Sequence, residues 1–175
     1  MARFADRLIF DTDAGAIRDG EIRYFMFRAD VFTTMVASLE PAHVAAVVDA
    51  FAAAVRERGR RSLEKYLREL KAANEDESAL AETIMRAAPS LGWGVWTLEQ
   101  VENGFDLTVV DSPFAIENTA RLPSCGPIRG MLTAYAELML DCPVTVKEIE
   151  CRGMHTNNDY CRFTARINSD NSSES

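Results

Sequence analysis

What the chain has little of bounds what it can do. Positive charge is short: 19 lysines and arginines face 27 aspartates and glutamates, a formal net charge of −8. Phosphate binding needs a basic surface, so DNA, RNA and an anionic membrane surface are poor partners. Long apolar runs are missing, and none approaches the roughly 20 residues of a membrane span. Met1-Ala2-Arg3-Phe4-Ala5-Asp6-Arg7 carries charge where a signal peptide would carry an apolar segment, so the cytoplasm is the expected compartment. No G-x-G-x-x-G, Walker A loop, flavin motif or iron–sulfur spacing is found, so no nucleotide-driven, hydride-transfer or electron-transfer chemistry is signalled. Carboxylates are many but fall on solvated helix faces, and no acid–base pair stands out. There are only two histidines, His43 and His155, and four cysteines.

The 47% apolar and 26% charged content is that of a globular domain, and 175 residues suffice to bury one core. The reading is one domain over residues 1–167 and a polar, disordered tail over 168–175. Ile22 to Phe27 reads as a short strand, and Val31 to Val36 as helical. Pro41 suits a helix's first turn. Val44, Val47, Val48, Phe51 and Val55 then recur at spacings of three and four. After Gly59 a second helical stripe begins at Leu63, Tyr66, Leu67 and Leu70. A further helix starts in the acidic stretch Asn74 to Ser78 and ends near Pro89. The second half alternates instead. Trp93 to Val101 and Phe105 to Val110 flank Glu102-Asn103-Gly104, a hairpin signal. Gly126-Pro127 opens a helix with Ile128, Met131, Leu132, Tyr135, Leu138 and Met139 on one face. Val144 to Glu150 and Tyr160 to Ile167 are two final strands. Helices followed by an antiparallel sheet define an α+β domain.

The chemistry-bearing residues gather late in the chain. Cys125 precedes the Pro127 helix, whose N-terminus favours a thiolate. Glu148 and Cys151 end one strand, and Cys161 begins the next. Three thiolates and a carboxylate can close a tetrahedral zinc shell with no open position, which makes such a metal structural. Residues three apart on a regular strand face opposite ways. The strand must therefore bend at Glu150 for Glu148 and Cys151 to share an ion. His155, in the following loop, is the rival to Glu148, and its plainer reading is an exposed loop residue. His43 is structural, and Cys142 a small buried residue. Two disulfides in an exported protein are the alternative use of the cysteines.

Cys125-Gly126 with Gly130 in the helix, then Glu148-Ile149-Glu150-Cys151, then Cys161-Arg162-Phe163, resemble the 4-vinyl reductase domain family. Gly92-Trp93-Gly94 and Asp111-Ser112-Pro113-Phe114-Ala115 also fit. The likeness is good over Leu91 to Phe163, whereas the N-terminal half fits only in outline. The family includes sensor domains of phenol- and xylene-responsive activators, a protein of bacteriochlorophyll biosynthesis and hydrocarbon-binding proteins. Its fold is similar to that of TRAPP-type vesicle transport subunits, the type seen in NO signalling and Golgi transport.

The resemblance implies a structural zinc on Cys125, Glu148, Cys151 and Cys161. The interval from Cys151 to Cys161 is longer than in the sensors. It also implies a small hydrophobic or aromatic ligand held in an apolar pocket near the metal. Candidate lining residues are Trp96, Phe105, Phe114, Met131 and Tyr135, whose plainer role is core packing. No histidine falls where the sensors fix a phenol hydroxyl, which favours a less polar or larger ligand. The expectation is a sensor or carrier. The alternatives are a tetrapyrrole vinyl-reductase enzyme or accessory, and a protein-assembly module. With no Walker A loop and no basic recognition helix, output would pass through a partner protein or a neighbouring subunit. Family members commonly form homodimers, and Tyr24 to Phe27 with Val31-Phe32 are apolar enough for that interface.

Overall fold

The structure, a computed structural model, describes residues 4–115, 122–154 and 158–168. His155 and the expected tail beyond residue 168 lie outside the described residues. The architecture is α+β. A short helix α1 (Phe4–Arg7) leads into a small antiparallel sheet of β1 (Ile9–Asp11), β2 (Ala16–Asp19) and β3 (Ile22–Tyr24), in that order. Sequence reading finds only the last of these strands and draws it too long. The reason is that β1 is exposed throughout and β3 nearly so, which leaves no alternation to read. Their turns use left-handed glycines, Gly15 and Gly20.

Helix α2 (Ala29–Ala37) buries Phe32 and Val36 against Val44 and Val48 of helix α3 (Pro41–Ala72). The two stripes expected on either side of Gly59 lie on this single helix of 32 residues, about 48 Å long. A glycine inside a helix costs about 1 kcal/mol against alanine, and here it makes room. A Cβ at Gly59 would lie 2.8 Å from Met131 Cε. The buried stripe also rotates from the expected one: Val44, Val48 and Ala52 face inward, while Phe51 is exposed.

Helix α4 (Ala79–Ser90) starts after a turn in which the Ser78 amide donates to Asp76 Oδ1 at 2.7 Å. The expected hairpin follows, with β4 (Val95–Val101) and β5 (Gly104–Val110) joined by Glu102-Asn103. Helix α5 (Gly126–Leu140) and the last hairpin, β6 (Val144–Glu150) and β7 (Tyr160–Ile167), complete the chain. The large sheet runs β4-β5-β7-β6, all antiparallel. Its inward face supplies Leu107, Val109, Phe163 and Ala165, which pack with Ile128, Leu132 and Tyr135 of α5 and Leu63 and Leu70 of α3. Each such fully buried large side chain contributes about 1.5–3 kcal/mol.

α5 is held against α3 by a stripe of small residues. A Cβ at Gly126 would meet the Val48 carbonyl oxygen at 2.4 Å, and one at Gly130 the Ala52 carbonyl oxygen at 2.2 Å. Ala134, one turn on, is fully buried. Arg56 locks the same seam through a two-pronged pair with Glu137, at 2.7 and 2.9 Å, and Arg129 pairs with Asp49. This close approach fixes the start of α5, and with it Cys125.

Candidate metal centre

Four segments deliver four side chains to one point. Cys125 is the N-cap of α5, and its carbonyl accepts the helix's first hydrogen bond, from the Arg129 amide at 3.0 Å. Glu148 lies on β6, Cys151 one residue past its end, and Cys161 early on β7. The ligating atoms of Cys125, Glu148, Cys151 and Cys161 all lie within 4.8 Å of one another. The bend that lets Glu148 and Cys151 share a face comes slightly earlier than expected. The β6–β7 register pairs Glu148 with Phe163 and Glu150 with Arg162, leaving Ile149 as the extra residue of a bulge. One extra residue reverses the inside–outside alternation. Ile149 goes to solvent, and Cys151 is buried beside the half-buried Glu148.

The spacing suits a metal. Cys125 Sγ and Cys161 Sγ are 3.6 Å apart. Sulfurs about 2.3 Å from a tetrahedral zinc lie about 3.8 Å from each other. Glu148 Oε2 accepts the Cys125 amide at 3.1 Å, and Oε1 is buried without a hydrogen-bond partner among the described residues. A buried carboxylate oxygen left alone is costly, and it is the atom a cation would take. The three sulfurs and this oxygen therefore fit a thiophilic divalent ion closed to water.

The electrostatics of the four groups without an ion show what such an ion must displace. Burial pushes the Cys125 thiol well up, helped by hydrogen bonding with Cys151 and Cys161 and by the Glu148 charge. Burial raises Glu148 to about 8, with the neighbouring Cys151 charge adding to it. Hydrogen bonds from Cys125 and Cys161 draw Cys151 far below the ordinary thiol range. The bond to Cys125 favours a Cys161 thiolate, but the bond to Cys151 and burial outweigh it, so Cys161 rises to about 12. Four acidic groups crowded into one buried site cannot all ionise together, so a divalent cation would displace protons from them.

Outer groups hold the cluster. The Arg152 amide donates to Cys161 Sγ at 3.4 Å, and Arg152 Nη1 reaches Asp111 at 3.0 Å. Ser112 Oγ lies 3.3 Å from Cys125 Sγ, and Ser124 Oγ donates to the Phe114 carbonyl at 2.7 Å. Both serines are almost fully buried. Sequence reading takes Ser112 only as part of a strand stop. The available signal was a serine two residues before an aromatic, the spacing of a side-chain turn.

The five candidate lining residues all belong to the main core cluster or pack against it, and are spread along its length. Trp96 pairs with Val109, which pairs with Cys161, so it sits at the metal end of the sheet. There its indole donates to the Trp93 carbonyl at 3.0 Å. Phe114 packs edge-on against Phe32, Phe51 and Trp93. Phe105 and Tyr135 stack edge-on at 5.1 Å at the opposite end, where Phe105 pairs with Ala165. Met131 fills the space over Gly59. Cys142 is half-buried and outside the cluster, and His43 is exposed at the start of α3.

The fold is shared with two solved structures. The chain is similar to the phenol-responsive sensory domain of the transcription activator PoxR, solved with phenol. Identity is 18% and the TM-score 0.71, over 93% of this chain and 86% of that one. It is also similar to a vinyl-4-reductase family protein from Methanocaldococcus jannaschii, at 15% identity and a TM-score of 0.52, over 80% and 76% of the two chains. No protein-family model matches the chain, and no curated protein matches it in sequence. Among the described residues no helix is long and apolar enough to cross a membrane.

Proposed function

We propose that this chain is a sensor or carrier domain for a small hydrophobic or aromatic molecule, built around a structural zinc. The observation that carries the metal is the convergence of Cys125, Glu148, Cys151 and Cys161 within 4.8 Å, with one Glu148 oxygen buried and unpaired. Three thiolates favour a soft ion, and a filled shell gives it a structural role. Zinc would join α5 to the β6–β7 hairpin and contribute directly to folding. The sensing role is supported by the shared fold with the PoxR sensory domain. Trp96 and Phe114 would meet the ligand near the metal, and Phe105, Met131 and Tyr135 further along α5. The reading places the protein in a reducing compartment, where these thiols stay free for metal. It also pairs two copies through the exposed Phe25, Met26 and Phe27.

Native mass spectrometry of protein purified without added metal tests this reading. One zinc and one organic molecule per chain, in a dimer, are expected. Protein carrying neither zinc nor an organic molecule would overturn it.

A further inference from the structure

Ser112 occupies an unusual position for a hydroxyl. It is 1% exposed, one residue beyond the left-handed Asp111 that ends β5. Its Oγ accepts the Phe114 amide at 3.3 Å, which fixes the turn. Its own hydrogen then needs an acceptor, since burial excludes bulk water. Cys125 Sγ is 3.3 Å away. The same turn is clamped from the other side by Ser124 Oγ, which donates to the Phe114 carbonyl at 2.7 Å. Ser112 is therefore held at Cys125 by contacts independent of the sulfur.

We propose that Ser112 is a positioning residue of the metal centre, its hydroxyl donating to the metal-bound Cys125 thiolate. This rests on the reading of the four residues as metal ligands. While Cys125 carries a proton, either partner of the pair can be the donor. A metal-bound sulfur has no proton to give and must accept, so metal loading fixes the direction of the bond. A hydrogen bond to a thiolate withdraws charge from it. Ser112 thus tempers the electron density and nucleophilicity of Cys125 and orients its sulfur. The Arg152 amide does the same for Cys161, at 3.4 Å.

The test loads the full chain with cobalt(II) in place of zinc and records the sulfur-to-metal charge-transfer band. One cobalt per chain with such a band establishes the metal centre independently of Ser112. Ser112→Ala should then move the band to longer wavelength and speed iodoacetamide alkylation of the loaded protein. Ser112→Thr, which keeps the hydroxyl, should restore both. A folded, cobalt-loaded S112A protein with the wild-type band would overturn the proposal while leaving the metal centre intact. Should S112A not fold, the wild-type protein loaded with cadmium-113 decides. A through-bond coupling from the metal to the Ser112 hydroxyl proton is expected beside one to the Arg152 amide proton. Coupling to Arg152 without coupling to Ser112 would overturn the proposal.

Discussion

At the metal end of the molecule polar atoms are buried and apolar ones are covered. Cys125, Cys151, Cys161, Ser112 and Ser124 are all at most 1% exposed, and Leu107, Val109 and Phe163 pack beside them without any exposure. At the N-terminal end the situation is reversed. Phe25 and Met26 are about four-fifths exposed, and Ile9, Phe10, Phe27, Val31 and Met35 are all open to solvent. Meanwhile Asp19 is buried, held by Arg7, which also donates to Tyr66 at 2.7 Å. The first region would close upon itself if an ion neutralised its acids. The second anchors to α3 through one polar cluster and leaves a contiguous run of large apolar side chains uncovered, a pattern that marks a protein interface. On the proposed reading, one end depends on a metal and the other on a second surface.

The largest expected effect lies at the first end. Cys151→Ser or Cys161→Ser should remove the metal and cost more than about 4 kcal/mol, enough to unfold or aggregate the protein. Thermal unfolding followed by circular dichroism measures this. An unchanged melting temperature in a soluble variant would show that no structural metal is bound.

The pH dependence sharpens the same point. Without metal, Glu148 is raised to about 8, so its contribution to stability is present below about pH 4.5 and lost as pH rises through 8. Cys151 is lowered, so its contribution is lost as pH falls. The two are the same proton moved between partners and offset each other between about pH 5 and 8. Metal loading instead displaces the protons that the four groups still hold. The metal association constant should therefore rise steeply with pH over that window. Chelator competition at several pH values reads the slope. A slope near zero would mean that the four groups do not act together as ligands.

How much of this was legible in the sequence follows from the range of the interactions. The β4–β5 hairpin and α5 announce themselves because their signals are local: Asn103-Gly104 between alternating runs, and Ile128, Leu132 and Tyr135 at helical spacing. The cluster of Cys125, Glu148, Cys151 and Cys161 shows in part, since residue type and turn position suffice to nominate it. The bulge at Ile149 is visible only as the need for some bend, and its place depends on pairing with Phe163 and Arg162. The role of Gly59 stays hidden because its cost is local while its benefit, the seat for Met131, comes from a distant part of the chain. β1 escapes because an exposed strand carries no pattern, and β2 because it buries its two ends, Ala16 and the charged Asp19, and not alternate residues. Ser112 escapes because a buried hydroxyl is defined by its partner, Cys125, which another segment supplies.

The seam between α3 and α5 joins the two ends, and it should respond to a single methyl group. Gly130→Ala places a Cβ 2.2 Å from the Ala52 carbonyl oxygen, a backbone atom that cannot turn aside. The helices must separate, at about 2–3 kcal/mol. The displaced α5 carries Cys125 with it, so metal should also exchange faster. Urea denaturation and chelator-monitored release measure the two effects. A stable G130A protein with slow release would show that the metal end is held by its own sheet and not by α3.

The smallest effect on stability belongs to the open end. Phe25→Asp with Met26→Lys changes side chains that are about four-fifths exposed, so the folding free energy of the subunit should move by no more than about 0.5 kcal/mol per site. The oligomeric state should change much more. If a second copy covers this surface, two charges of opposite sign placed in its centre would be buried against apolar neighbours, and the dimer should dissociate to monomers. Light scattering coupled to size exclusion reads the mass, and metal content measured on the same fractions reads the other end. Monomers that keep their metal are the expected outcome, and they would show that the two ends are stabilised independently. A dimer of unchanged mass would mean that Phe25 and Met26 face something other than a second copy of this chain. Monomers that also lose metal would mean that the interface reaches Cys125 through α2, Phe114 and the Ser112 turn, the chain of contacts that links Phe32 to the metal centre.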